Sequence, residues 1–243
     1  VMMENLRFHP EEEANDPGFA ATIAGLGDIY VGDAFSCTHR AHASVEALPR
    51  LMKVATAGRA LGEELSALHA ALASPARPVA AIVGGAKVST KLQVLENLIT
   101  KTDRLILGGG MANTFLLAAG QDVGASLVEA DMVDTARAIA DKAAAHGCHI
   151  DLPEDFLVAQ KLAEGVPHRV ATPGDVSADE MILDAGPRSV AVSVAGLAGC
   201  RTIVWNGPMG AFEFPPFDTA TNAVARAVAA ATQAGQTMSV VGG

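Results

Sequence analysis

Aromatic side chains are scarce: one Trp, one Tyr and eight Phe in 243 residues. The core must therefore be built from Ala, Val, Leu and Ile, and with half of the chain hydrophobic there is enough for one large domain or two smaller ones. Cysteine is nearly absent. Cys37, Cys148 and Cys200 are odd in number and widely spaced, which excludes a disulfide framework and any metal or redox Cys pair, so a reducing cytoplasm is the expected compartment. Positive charge is also short, with 17 Lys and Arg against 27 Asp and Glu and a net charge of −10. That balance argues against nucleic acid or an anionic membrane as partner. An anionic ligand must be held by a local cationic patch against the global field. No apolar run approaches the ~20 residues of a membrane span, and no signal-peptide pattern opens the chain. Both ends read as cut: Val1 opens inside an apolar run, and Met238 to Gly243 reads as a strand entering a glycine turn. The expectation is an internal segment of a longer protein.

What is present is organised around Val83-Gly84-Gly85-Ala86-Lys87-Val88-Ser89-Thr90-Lys91. An apolar run of strand character, residues 78–83, precedes it. Val88, Leu92, Leu95 and Ile99 follow at helical spacing. Glycines at a strand-to-helix turn let backbone approach a ligand closely, and a helix start offers free N–H groups and partial positive charge. Lys87 and Lys91, four apart, are expected on one face of the first turns. Two cations there oppose the helix dipole by roughly 0.3–1 kcal/mol each, which points to a bound anion; an ordinary turn with two solvated lysines is the alternative. The spacing of a P-loop is absent.

Along the chain, Glu4-Asn5-Leu6-Arg7-Phe8 follows a short apolar strand end, and Arg7 stands where ligands sit in open α/β sheets. The alternative is a surface Arg paired with Glu11 to Glu13. Asp16-Pro17 starts a helix that carries Phe19, Ile23 and Leu26 and ends near Gly27. A strand at 28–31 leads to His39, Arg40 and His42, a dense cationic group suited to phosphate or carboxylate. A His-x-x-His metal site completed by Glu46 and a solvated loop compete with that reading. Leu61, Leu65, Leu68 and Leu72 mark a long helix from Thr56, broken by Ser74 to Pro78. From there strand and helix patterns alternate: strand 79–83, helix 88–101, strand 104–107, helix 111–119, helix 129–146, strand 149–152, strand 202–205, helix 218–234 and strand 237–241. Such alternation predicts a mostly parallel sheet with helices on both faces. Residues 154–188 resist assignment.

Gly108-Gly109-Gly110 lacks the further glycine of a dinucleotide fingerprint, Asn113 standing in its place. Bare backbone there still suits a flat ligand such as a purine; a tight turn is the alternative. Trp205-Asn206-Gly207-Pro208-Met209-Gly210-Ala211-Phe212-Glu213 follows a strand and presents Glu213, a carboxylate able to accept hydrogen bonds from a sugar diol or simply to be solvated.

Taken together and in order, Glu4 to Phe8, Asp33-Ala34-Phe35 through His39-Arg40-Ala41-His42, Gly84 to Lys91, Gly108 to Ala112 and Trp205 to Gly210 resemble phosphoglycerate kinase. The resemblance covers essentially the whole chain. It implies an α/β fold with two Rossmann-like domains, parallel sheets flanked by helices, facing across a cleft. Residues 1–55 would be part of an N-terminal domain for 3-phosphoglycerate, only partly present, 56–77 an interdomain helix, and 78–243 an incomplete C-terminal nucleotide domain. Carried over by motif, Arg7 and Arg40, with His39 and His42, hold phosphoglycerate. Lys87 and Lys91 are the catalytic residues implied, meeting the nucleotide phosphates, and Gly85 and Gly243 are nucleotide-binding. Gly108 and Gly109 border adenine, Asn206 and Pro208 line the nucleotide site, and Glu213 takes the ribose hydroxyls. Mg2+ would accompany ATP or ADP, with no metal ligand in this segment, and a cytoplasmic monomer is implied. The chain departs from the family in three ways. The earlier half of the N-terminal domain is missing, with its Asp-x-Asn loop and an arginine for the transferring phosphoryl. The metal-holding Asp after the final glycine turn is missing too. Ile182 stands where the family has Gly before Leu-Asp-x-Gly-Pro, and its side chain would crowd the nucleoside.

The chemistry implied is attack of a carboxylate on the γ-phosphorus, which needs positioning and charge neutralisation rather than a protein nucleophile. Closure of the domains about the 56–77 helix would exclude water. An oxidoreductase with a dinucleotide domain, and a non-catalytic nucleotide-binding piece, are the competing readings.

Overall fold

A computed structural model describes residues 2–242. Val1 and Gly243 lie outside the described residues, and with them the expectations for Gly243 and for the start of the first apolar run. The chain divides into two compact units, residues 1–70 and 71–243.

The first unit holds two short helices, α1 (Pro10–Glu13) and α2 (Pro17–Ala24), then β1 (Ile29–Gly32), α3 (Leu48–Leu51) and β2 (Val54–Ala57), and enters α4 (Arg59–Leu72). Met2 and Met3 carry no strand. Asp16 caps α2 by accepting the Phe19 N–H at 2.7 Å, as Asp-Pro predicts. The helix stops at Gly25, before Leu26, which is exposed. β1 and β2 pair in parallel. The expected helix from Thr56 therefore starts later, because Val54 to Ala57 bond to β1 instead. Asp33 accepts the Leu61 N–H at 2.9 Å and anchors the start of α4. The core is small: Ala20, Ala43 and Leu48, with Phe19, Ile23, Tyr30 and Met52 packed against them.

The second unit is built on a five-stranded parallel sheet. Its strands are β3 (Val79–Val83), β4 (Arg104–Leu107), β5 (His149–Asp151), β9 (Thr202–Asn206) and β10 (Met238–Gly242), in the order β10-β9-β3-β4-β5. Between β3 and β5 run α5 (Leu92–Leu98), α6 (Gly109–Ala118) and α7 (Val133–Ala145); α8 (Pro187–Leu197) precedes β9 and α9 (Thr219–Gln233) precedes β10. Strand β3 shows why the sheet is covered on both faces. Ala81 and Val83 pack with Leu95, Phe115 and Ile139 of the first three helices, while Ala80 and Ile82 pack with Leu197, Val224 and Val228. Every residue of β3 is buried, as expected for a central parallel strand. The order turns back at β3, and ligands of open α/β sheets bind beyond the strand ends at such a reversal.

The region that resisted assignment forms a second sheet. There β6 (Phe156–Ala159) pairs antiparallel with both β7 (Arg169–Ala171) and β8 (Met181–Ala185). It interrupts the alternation between β5 and α8. Two buried aspartates of this sheet's neighbourhood hold helix starts that have no local cap. Asp155 accepts the N–H groups of Arg188 (3.0 Å) and Ser189 (2.7 Å) at the start of α8, together with the Ser189 hydroxyl (2.6 Å). Asp184 does the same for Ala220 of α9 at 2.9 Å.

An Asp155→Ala substitution leaves those N–H groups and the hydroxyl without acceptors in a buried place. We expect a loss of about 2–4 kcal/mol in urea unfolding; a loss under ~0.5 kcal/mol would remove this role.

Candidate functional site

The loops leaving β3, β4 and β9 meet at one end of the parallel sheet. The Gly84 N–H donates to Asn206 O at 2.9 Å, continuing the ladder past the strand ends. A Cβ on Gly84 would overlap the Pro208 carbonyl, so only glycine fits there. Gly109, at φ +68, lies with its Cα against the Gly85 backbone. Its N–H donates to Met209 O at 2.7 Å, and the Met111 N–H donates to Gly85 O at 2.9 Å. The first turn of α6 is thus partly satisfied by the neighbouring loops. The indole of Trp205 donates to Gly207 O at 2.6 Å, and the Thr221 hydroxyl accepts from the Met209 N–H at 3.0 Å.

The two lysines do not share a helix face. After Val88 the chain makes a single tight turn, Ser89–Lys91, and α5 begins only at Leu92, with Lys91 as its N-cap at φ −123. Lys87 lies outside any helix and is exposed. Lys91 turns inward: its ammonium donates to Gly84 O at 2.7 Å, to Asn206 Oδ1 at 2.5 Å and to Asn206 O at 3.3 Å. Burial pulls its pKa below the usual lysine value. The expected free N–H group is taken as well. Ser89 donates its N–H (3.0 Å) and its hydroxyl (2.5 Å) to the carboxylate of Glu129. Burial pushes the Glu129 carboxyl up, but those bonds and the nearby Lys87 charge outweigh it, and its pKa lies below normal.

Beside these loops lies a cavity of about 360 Å³. Gly85, Ala86, Gly109 and Gly110 line one part of it; Met181, Ile182 and Leu183 of β8, and Pro208 to Phe214, line others. Of the residues expected from sequence, Gly85, Gly109, Pro208 and Glu213 border the cavity. Lys87, Lys91, Gly108 and Asn206 do not: Gly108 is buried against Met209, and Asn206 holds Lys91. Leu127, Leu183 and Phe212 also line the cavity, and nothing in their local sequence marks them. Ile182, noticed as a departure from the family pattern, does stand in the wall, with its N–H donated to Ser126 Oγ at 2.8 Å. Asn113, noticed only as a fingerprint mismatch, is also in the wall.

Asp184 borders the cavity and is 2% exposed. Desolvation drives its pKa up to about 7; the Ala220 and Ala185 N–H groups pull it down, and Asp218 pushes it up.

In the first unit, Arg7, His39 and Arg40 are exposed, and Arg7 makes no ion pair with Glu11 to Glu13 among the described residues. His42 is set back: its side chain is 14% exposed and its Nδ1 lies 3.9 Å from Glu12 Oε1. Buried Glu12 accepts the Ser44 N–H at 2.9 Å and its hydroxyl at 2.5 Å. Glu46, the would-be metal ligand, is engaged by Asn15 at 2.8 Å and Arg50 at 2.5 Å. Among the described residues no three His, Cys, Asp or Glu side chains gather as a metal site. No described helix is long and apolar enough to cross a membrane.

The family model described as Phosphoglycerate kinase matches residues 1–243. A phosphoglycerate kinase from Dinoroseobacter shibae is 58% identical over the whole chain, which covers 62% of that protein. One from Rhodospirillum centenum is 58% identical, with 61% covered. A solved structure of phosphoglycerate kinase from Coxiella burnetii superposes with a TM-score of 0.87 at 44% identity, over 98% of this chain and 61% of that one. The chain thus spans about three-fifths of the length of the relatives it matches.

We expect Lys91→Met to lower stability by about 1–3 kcal/mol in urea unfolding, because Gly84 O and Asn206 Oδ1 lose a charged donor. An unchanged midpoint would deny the lysine its place between the two loops. For Asp184, the folded pKa lies above the unfolded one, so the folded state binds the extra proton and stability falls as pH rises from about 4 through 7. Asp184→Asn should remove this decline, up to about 1.4 kcal/mol per pH unit. Parallel pH curves for the two proteins between pH 5 and 8 would contradict it.

Proposed function

This chain belongs to the phosphoglycerate kinase family, and we propose that the whole protein transfers a phosphoryl group reversibly between ATP and the carboxylate of 3-phosphoglycerate, giving 1,3-bisphosphoglycerate and ADP. The observation that supports this most directly is the glycine-lined, largely apolar cavity beside the ends of β3, β4 and β9, in a chain matched along its entire length. In this reading the base enters between Gly109-Gly110 and Leu183, and Glu213 accepts from the ribose hydroxyls. The phosphates then extend toward Gly85, Lys87 and the loop at Asn206 and Pro208. Lys87 is the exposed cation that meets them. Lys91 acts on the phosphates through the two loops it holds, adding its charge behind them. Gly108 supports the base site from behind, and Gly243 belongs to the same reading of the last loop.

Arg7, Arg40 and His39 are the exposed groups for the anionic acid, with His42 steadied beside Glu12. The carboxylate oxygen bonds to the γ-phosphorus as the bond to the β,γ-bridging oxygen breaks, and ADP leaves. No side chain need be phosphorylated on the way. Magnesium enters bound to the nucleotide, as part of the substrate; the described residues alone do not gather a cation site. A glycolytic or carbon-fixing role, the cytoplasm and a monomeric state complete the reading. By itself the 243-residue chain is expected to bind Mg·ADP while turning over little.

The test is a coupled assay of the full-length protein, forming 1,3-bisphosphoglycerate from ATP and 3-phosphoglycerate. Activity is expected there, and Lys87→Met should lower kcat/KM by about 10–100-fold with a nearly unchanged urea midpoint, since Lys87 is exposed and its tie to the fold is a weak attraction to Glu129. A full-length protein folded but inactive with these substrates would reject the reading.

A further inference from the structure

One polar side chain in the cavity wall holds no helix start. Asn113 lies on α6, one turn below the glycines, and is 2% exposed. Its Nδ2 donates to Leu127 O at 3.3 Å. That bond fixes the orientation of the amide, because the opposite flip would set two acceptors face to face. The acceptor Oδ1 is therefore the free end. It takes no hydrogen bond from any described residue, yet no fully enclosed side-chain nitrogen or oxygen among the described residues lacks a partner. Oδ1 thus keeps access to open space, and the space Asn113 lines is the cavity.

The other polar side chains of the wall are committed or peripheral. Both Asp184 oxygens accept backbone N–H groups, from Ala185 and from Ala220. Glu213 is exposed. Around them the lining is glycine and apolar side chains, including Leu127, Met181, Ile182 and Leu183. A buried amide acceptor in such a wall is costly when left unpaired and selects a ligand that brings a donor to it.

We propose that Asn113 is a specificity-determining residue that selects a purine with an exocyclic amino group at its six-position over one with a carbonyl there. The inference rests on the nucleotide reading of this cavity and deepens it. Adenine presents an N–H donor at that position; hypoxanthine and guanine present an oxygen, an acceptor that meets Oδ1 unfavourably. The apolar wall and the glycine surface give any purine the same stacking area. Discrimination then falls to the one buried side-chain acceptor of the wall that the described residues leave free.

Isothermal titration of the full-length protein with Mg·ADP and Mg·IDP tests it, because the two differ in the six-position group and the attendant ring proton. The wild type is expected to bind ADP about ten-fold or more tightly than IDP. Asn113→Leu should weaken ADP and bind IDP no less tightly than the wild type does, so that the preference disappears. Asn113→Ser, shorter and less disruptive of packing, should erase the preference likewise. Circular dichroism and urea unfolding identify whichever variant is folded. A preference for ADP retained in a folded variant overturns the role of Asn113. A wild type that binds ADP and IDP equally overturns it too. Binding of neither nucleotide by the folded wild type sinks instead the nucleotide reading on which it stands, which sets the two failures apart.

Discussion

The second unit depends on a contact of backbone with backbone: Gly84, leaving β3, rests on the Pro208 carbonyl of the loop leaving β9. Two peptide chains approach this closely only where one lacks a side chain. The approach crowds carbonyl oxygens together, and Lys91 supplies the positive charge that holds them, donating to oxygens from both loops. The ammonium is drawn partly out of water for this purpose. Its cost is set against three polar contacts in a region of reduced dielectric. Strand order places this junction where the sheet reverses direction, and the cavity opens beside it.

A second constraint is electrostatic and repeats through the chain. Helices α4, α8 and α9 each begin with an N–H group held by an aspartate distant in sequence: Asp33, Asp155 and Asp184. Each carboxylate complements the positive end of a helix while tying that helix to a strand end or loop elsewhere. The device fixes helix position as well as helix start. At Asp184 the two demands conflict, since the carboxyl lies deep enough for burial to outweigh its N–H partners and favour the protonated form.

Much of the sheet was legible from residues alone. The run at 79–83 is apolar throughout, as a strand covered on both faces must be, and α6 and α9 lie within one or two residues of their apolar spacing, whereas α5 and α7 each begin four residues later than theirs. The antiparallel sheet of β6, β7 and β8 was not legible: its strands are three to five residues long and satisfy one another across long loops. Thr56 belongs by local pattern to the helix that follows, because its pairing with Val31 is invisible locally. The site divides in the same way. Its glycines announce themselves, but the orientation of Lys91 is decided by Asn206, 115 residues away, and Ser89 is satisfied by Glu129, 40 residues on. Asn113 looked like a broken fingerprint; its meaning lies in which of its two amide atoms is already engaged.

The scarcity of aromatics has an experimental use. The chain's one tryptophan is Trp205, a residue buried in β9 with its indole N–H tied to the carbonyl of Gly207. Any rearrangement of the loop leaving β9 stretches or releases that bond and alters the polarity around the indole. No second indole contributes background light. The emission spectrum of the unlabelled chain is therefore a single-site optical gauge of the junction, reporting its state without an introduced dye.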